Sequence, residues 1–337
     1  MIVWVRRLAV PFVALFVAAG VTGCSSTLSD AATVTFHDSN GTHTVHITRE
    51  TLQNAMRDEL ANAQLVSALR SNGLRGDSKN STDGRLAADY LTQAIRQSAV
   101  DGEFHADKLA ITSDDETTAR EQFIYYNSNT QSGLYPQQIF DAFPARYQKA
   151  VVDDYARLAA VFRYYGTCPS GRLVYHLATT NHDDAEAAFN LIRSGKSFET
   201  VAREKSVDTT TGQSGGAIGC LMPGILPPEV ETVAKQVPFD FVTVPVETRL
   251  GYDLVLVRKW TPADSQQYAA QLQQAATAAL NTRLKALKVW MNPQFGTWHY
   301  AASGPSVIPP AAPNPNLTRD GQGASTTTTT APTAAAG

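Results

Sequence analysis

Hydrophobic and polar residues alternate over residues 33–47, on both sides of Asn40-Gly41. A period of two marks a strand, and Asn-Gly between two such runs marks a tight hairpin, because both turn positions take positive φ. Past Thr48 the period lengthens. Leu52, Met56, Leu60, Ala63 and Leu65 fall on or near one helical face, until Ser71, Asn72 and Gly73 stop it. Further helices are expected at about 85–99, 113–126 and 136–165. Ser113 with Glu116 three positions on reads as a capping box. Pro144 breaks the last of these segments, because a proline ring clashes with the preceding helical turn. Beyond it Tyr147, Val151, Tyr155, Leu158 and Phe162 form an apolar stripe, read as core packing rather than a peptide groove. A final helix is expected at about 264–290, with Tyr268, Leu272, Ala279 and Leu287 among its apolar positions.

The middle of the chain, 171–260, follows a different pattern. It opens on an apolar run, 173–178, carrying one histidine, His176. A helical segment at 183–193 follows, with Ala185, Ala188, Phe189 and Ile192 in step, an aspartate to cap it and Gly195 to end it. A shorter one places Phe198, Val201 and Ala202 on one face. Then comes a polar loop, 206–219, ending in glycines, and two strand-like runs within 244–257 joined at Gly251. Strand, helices, glycine loop, helix and strand pair predict a compact α+β domain.

Five pieces of this stretch resemble the parvulin peptidyl-prolyl isomerases in order and spacing. They are 175–177 around His176, 197–202, 206–208, the glycine run 215–219, and 245–248 followed by Gly251 and Tyr252. The resemblance implies an enzyme that turns X-Pro bonds without metal or cofactor. It aligns His176 with the family's first active-site histidine and Thr248 with a threonine that hydrogen-bonds in that network. Either Asp208 or Thr209 takes the place of the residue facing substrate, and Leu226 and Val230 stand where the family has a methionine and a phenylalanine in its proline pocket. Met222 is near enough in sequence to compensate. This chain departs from the family at three points. Asp253 replaces the second histidine and is expected to accept a hydrogen bond from His176 or an intervening group. Ala217 replaces the usual aspartate of the glycine loop, and Val230 offers no ring face for a proline to stack on, so a shallower pocket is expected.

The plan of a hairpin and helices (33–166), an isomerase-like domain (171–260) and a C-terminal helical segment (261–300) resembles the SurA-type and PrsA-type extracytoplasmic chaperones. In that plan the flanking segments pack as one mainly helical lobe, with the parvulin-like domain inserted in or appended to it. The implied partners are unfolded or nascent secreted polypeptides containing X-Pro bonds.

The chain ends add a location. Arg6 and Arg7 precede an apolar run at 8–21, which has the form of a signal peptide spanning 1–23 and is short for a permanent membrane span. It closes on Val21, Thr22, Gly23 and Cys24, which resembles a bacterial lipobox and implies lipidation of Cys24, a tether at 24–32 and anchoring on the extracytoplasmic face of a bacterial membrane. With Cys24 so occupied, Cys168 and Cys220 remain as a pair in an oxidising compartment, either bridged, which is the favoured reading, or as buried thiols. Residues 301–337, rich in proline, threonine and alanine, read as a disordered tail. The formal charge of -3 becomes 26 basic against 31 acidic side chains once Arg6 and Arg7 are removed. No basic run interleaved with aromatics points to nucleic acid, and the seven histidines show no metal-ligand spacing. Three functions remain in play: an anchored isomerase and foldase, a chaperone whose parvulin-like module binds clients without catalysis, and a scaffold lipoprotein for one specific partner.

Overall fold

The computed structural model describes residues 29–38, 41–63, 66, 84–127, 136–224, 226–301 and 304–310. The signal-like segment 1–23, Cys24, Asn40, Leu65, the 71–73 stop and the residues after 310 lie outside this set.

Strands β1 (Asp30–Asp38) and β2 (Gly41–Thr48) pair antiparallel, Val34 opposite Val45 and Asp38 opposite Gly41. Gly41 therefore belongs to β2, where the sequence pattern puts it in the turn. β1 also begins three residues earlier than the expected tether allows, because Asp30, Ala31 and Ala32 are buried in the lobe's core. Thr48 caps helix α1 (Arg49–Leu60), its hydroxyl accepting from the Thr51 amide at 3.0 Å. Helix α2 (Gly84–Ala106) is buried on most of its circumference and runs through the middle of the lobe. Helix α3 (Ser113–Asn127) has its capping box one residue earlier than expected. Thr112 Oγ1 accepts from the Asp115 amide, and Asp115 Oδ2 accepts from the Thr112 amide. Asp115 also holds Arg163 at 2.9 Å, a second contact that favours this register over the Ser113–Glu116 one. Pro144 separates α4 (Pro136–Asp141) from α5 (Ala145–Gly166) and stands as the N-cap of α5. The expected stripe on α5 is core: Tyr147, Val151 and Tyr155 pack with Phe123, Phe140 and Phe143.

The central segment follows as β3 (Arg172–Thr179), α6 (His182–Arg193), α7 (Phe198–Lys205), the one-turn α8 (Thr209–Gly212), β4 (Ala217–Cys220), α9 (Pro228–Gln236), β5 (Phe241–Val242), β6 (Val246–Thr248) and β7 (Gly251–Lys259). Its sheet runs β4-β3-β7-β5, with β6 also on β7 and every pairing antiparallel. The fold is α+β, a small antiparallel sheet with helices joined to a mainly helical lobe.

After β7 the chain returns to the lobe through α10 (Pro262–Gln267) and α11 (Ala269–Ala286), and α11 packs on α2 and α5. The expected long helix ends at Ala286, because residues 288–291 form strand β8 (Lys288–Met291) and pair with β1, Val34 opposite Val289. The lobe's first sheet, β2-β1-β8, thus joins both ends of the chain. Strands β9 (Thr297–Ala301) and β10 (Gly304–Ile308) form a further hairpin. The first part of the expected disordered tail is therefore ordered: Val307 is buried, its amide donates to Thr92 Oγ1 at 2.8 Å, and Arg96 donates to the Pro305 carbonyl at 2.7 Å. Among the described residues, no helix is long and apolar enough to cross a membrane.

Candidate active site

On the β3–β7 ladder, Val174 stands opposite Val257, His176 opposite Val255 and Ala178 opposite Asp253. Directly opposed residues share a face, so His176 and Asp253 are diagonal neighbours on the same side of the sheet. The other side carries Leu177, Leu254 and Leu256 and is closed by Ala188 of α6 and Phe198, Val201 and Ala202 of α7. On the His176 side, α9 covers the Val174, Val255 and Val257 end through Val230 and Ala234, with Leu226 just before the helix. The His176 and Asp253 end is closed instead by the loop after α7.

That loop is clipped to β3 at both ends. The Val207 amide donates to the Ala178 carbonyl at 2.9 Å, and the Ala178 amide donates to Ser206 Oγ at 3.2 Å. At the far end the His176 amide donates to the Gly216 carbonyl at 2.8 Å. Gly216 has φ of +82°, and a Cβ there would lie 2.2 Å from the His176 carbonyl oxygen. Only glycine permits this approach, which explains the glycine pair in physical terms. Between the clips, Asp208 caps α8, its Oδ1 accepting from the Thr210 amide at 2.9 Å.

The imidazole of His176 sits between two carboxylates. Nδ1 is 2.8 Å from Asp253 Oδ1, and Nε2 is 2.9 Å from Asp208 Oδ2. Nε2 is also 2.9 Å from Thr211 Oγ1, and that hydroxyl donates to Asp208 Oδ2 at 2.6 Å. Burial pulls the His176 pKa down, but hydrogen bonds and charge from Asp253 and Asp208 outweigh it, so the net shift is upward. Burial pushes Asp208 up, yet hydrogen bonds from Thr211, His176 and the Thr210 amide bring its pKa down to about 2. The imidazole thus lies between two carboxylates that favour its protonated form, one of them, Asp208, partly open to solvent. With both ring nitrogens occupied, His176 is not a nucleophile. Its chemistry is that of a fixed, preoriented array of charges and dipoles. Among the described residues, no group of three or more His, Cys, Asp or Glu side chains is arranged to hold a metal ion.

The sequence-derived candidates divide. His176, Asp208 and Asp253 meet; Asp208 rather than Thr209 faces the histidine, and Thr209 is exposed at the start of α8. Thr248 does not reach the network: its hydroxyl donates to the Gly251 carbonyl at 3.1 Å and accepts from the Leu250 amide at 3.2 Å, so it closes the β6–β7 turn. Leu226 and Val230 are buried in the α9 cluster, with Val230 at 0% exposure, and do not floor an open slot. Met222 lies elsewhere, packed with Cys168, Cys220 and Leu272 of α11. Cys168 and Cys220 are bridged. Sequence reasoning missed Thr211. The signal was present, since a capping aspartate places the residue three positions on back over its own carboxylate.

Residues 178–259 match the family model for the rotamase, or PPIC-type PPIase, domain. This segment is a parvulin-type domain. The foldase protein PrsA of Caldanaerobacter subterraneus subsp. tengcongensis is 30% identical over 80 residues, 24% of this chain and 26% of that protein. The periplasmic chaperone PpiD of Haemophilus influenzae is 26% identical over 177 residues, 50% of this chain and 27% of its own. The chaperone SurA of Legionella pneumophila is 32% identical over 84 residues, 25% of this chain and 20% of its own. The chain thus spans about a quarter of the length of these curated relatives. Among solved structures, the parvulin of Nitrosopumilus maritimus shares 23% identity, covering 27% of this chain and 98% of that one, with a TM-score of 0.25. PrsA from Bacillus subtilis shares 15% identity over 74% of this chain and 89% of its own, with a TM-score of 0.27.

Proposed function

We propose that this protein is a peptidyl-prolyl cis-trans isomerase that serves as a foldase for exported polypeptides, held on the extracytoplasmic face of a bacterial membrane by a lipid on Cys24. The observation that carries the reading is the His176 imidazole clamped by Asp208 and Asp253 at one end of a parvulin-type sheet. Rotation about an X-Pro bond is opposed by the double-bond character of the amide, roughly 18–20 kcal/mol. Lowering that barrier takes no bond-making group; it takes fixed charges that favour the twisted amide over the planar one, about 1.4 kcal/mol for each tenfold in rate. The Cys168–Cys220 bridge supports an oxidising compartment, and the lipobox-like residues 21–24 support the anchor.

One observation favours a second reading, a chaperone that binds clients without turning bonds over: Leu226 and Val230 are closed against the sheet, leaving no exposed apolar floor at those positions. An isomerisation assay on X-Pro peptides, run beside His176→Ala, separates the two. Acceleration that His176→Ala reduces tenfold or more establishes the enzyme. Absence of acceleration with every peptide, alongside suppressed aggregation of an unfolded client, establishes the chaperone. Palmitate labelling lost in Cys24→Ser tests the anchor.

A further inference from the structure

Among the described residues, Thr211 is the one uncharged side chain hydrogen-bonded to both Asp208 and His176. Its Oγ1, Asp208 Oδ2 and His176 Nε2 form a closed triangle with sides of 2.6, 2.9 and 2.9 Å. A hydroxyl has one hydrogen, so it donates to one corner at a time. While the imidazole carries both protons, Nδ1–H faces Asp253 and Nε2–H faces Asp208 and the threonine oxygen; an ionised carboxylate only accepts, so the threonine hydrogen points at Asp208. If Nε2 loses its proton, a bare lone pair is left against an anionic oxygen. Among the described residues, the threonine hydroxyl is then the one neighbouring donor within hydrogen-bond distance of Nε2, and a rotation about its C–O bond brings the hydrogen across. The Thr210 amide is not free for this, being committed to Asp208 Oδ1.

We propose that Thr211 is a positioning residue of this site, whose hydroxyl donates to Asp208 while His176 is doubly protonated and swings to Nε2 when His176 is neutral. It thereby keeps both charge states of the imidazole hydrogen-bonded and sets where the site changes from one to the other. The charged groups acting on His176 are Asp253 from β7 and Asp208 from the loop before α8. The other neighbours on its sheet face, Val174 and Val255, are uncharged. Removing the hydroxyl raises the proton affinity of His176 through both states. The neutral imidazole loses its donor, and Asp208, no longer sharing its charge with Thr211, holds the imidazolium more strongly.

The inference deepens the isomerase reading, and its test is readable without isomerase activity. The mature chain carrying Cys24→Ser, labelled at its histidines, is titrated by NMR, with His176→Gln identifying the His176 resonance. In Thr211→Val, His176 should release its proton at higher pH than in the parent, by about one unit or tenfold in proton affinity. Thr211→Ser should titrate like the parent. If the chain is an isomerase, the same displacement should appear in the basic limb of its pH–rate profile. A His176 titration unchanged or lowered in Thr211→Val overturns the proposal, as does a serine variant that behaves like valine, since a purely packing role would be lost in serine. A chain that moves in the titration yet accelerates no peptide leaves the role of Thr211 standing and removes the enzyme.

Discussion

Opening the Cys168–Cys220 bond should cost the parvulin-type domain several kcal/mol, and the structure gives the size. The bond joins the turn after α5 to the end of β4 across 52 positions of sequence. Closing a loop of that length in the unfolded chain removes about 14 cal/mol/K of entropy, or about 4 kcal/mol at 25 °C. The native side offers little to offset this. Cys168 and Cys220 are 3% and 0% exposed, packed against Met222 and Leu272, so reduction leaves two thiols in a space shaped for one bridge. The bond also works in parallel with a second tie to α11. Gln271 donates Nε2–H to the Ile218 carbonyl at 2.7 Å and accepts from the Cys220 amide at 3.3 Å, capping the outer edge of β4 as a neighbouring strand would. A Cβ on Gly219 would lie 2.0 Å from that amide's oxygen, so the contact depends on glycine. Urea unfolding followed through Trp260, at the end of β7, reads the effect with and without reductant, and Cys168→Ala/Cys220→Ala serves as the reagent-free check. With a denaturant slope of about 2 kcal/mol/M, the midpoint should fall by about 1–2 M, after allowance for residual order in the unfolded chain. A fall below roughly 0.3 M would refute the reasoning, because the loop would then be restrained by something other than the bridge.

Two further perturbations follow from single atoms. Glu59, in the last turn of α1, is fully buried with both carboxyl oxygens unpartnered, and burial, with Asp89 nearby, pushes its pKa well above the usual carboxylate range. The folded lobe therefore holds a proton that the unfolded chain gives up above pH about 4.5, and the stability it contributes falls as pH rises from there through the folded pKa. Glu59→Gln should be the more stable protein at pH 8, with the difference in Tm closing toward pH 4; a parent and variant that differ equally at both pH values would refute it. Gly216→Ala should lower stability by about 2 kcal/mol or more, because its Cβ would meet the His176 carbonyl at 2.2 Å on a backbone already at positive φ. A variant with parental Tm and an unmoved His176 resonance would show that the loop yields at no cost.

Where the sequence was legible, short-range chemistry set the answer. An apolar strand with one histidine and a glycine run past the helices that follow it each carry their reason within a few residues, and both converge on His176. What was not legible depended on partners far away in sequence. Residues 288–291 continue a helical period on paper, yet an open edge on β1, more than 250 residues earlier, turns them into β8. Residues 304–308 look like the start of a polar, proline-rich tail until Thr92 and Arg96 of α2 take their backbone groups. The network threonine fell between the two cases: family spacing pointed to Thr248, which the β6–β7 turn consumes, while the capping geometry of Asp208 selects Thr211. The pocket residues carry the argument furthest. The family resemblance identifies Leu226 and Val230 as pocket residues, and both pack against the sheet. Whether such residues floor a slot or close it depends on how far the helix stands off Val174 and Val255, a distance set by the side chains packed between them. Here small β-branched side chains on both sides let α9 settle onto the sheet and exclude solvent, whereas a ring at position 230 would overfill that space and lift it. The charge array at His176 is thus held by hydrogen bonds and the separation of α9 from the sheet by apolar packing, so a substitution at position 230 changes the second without touching the first.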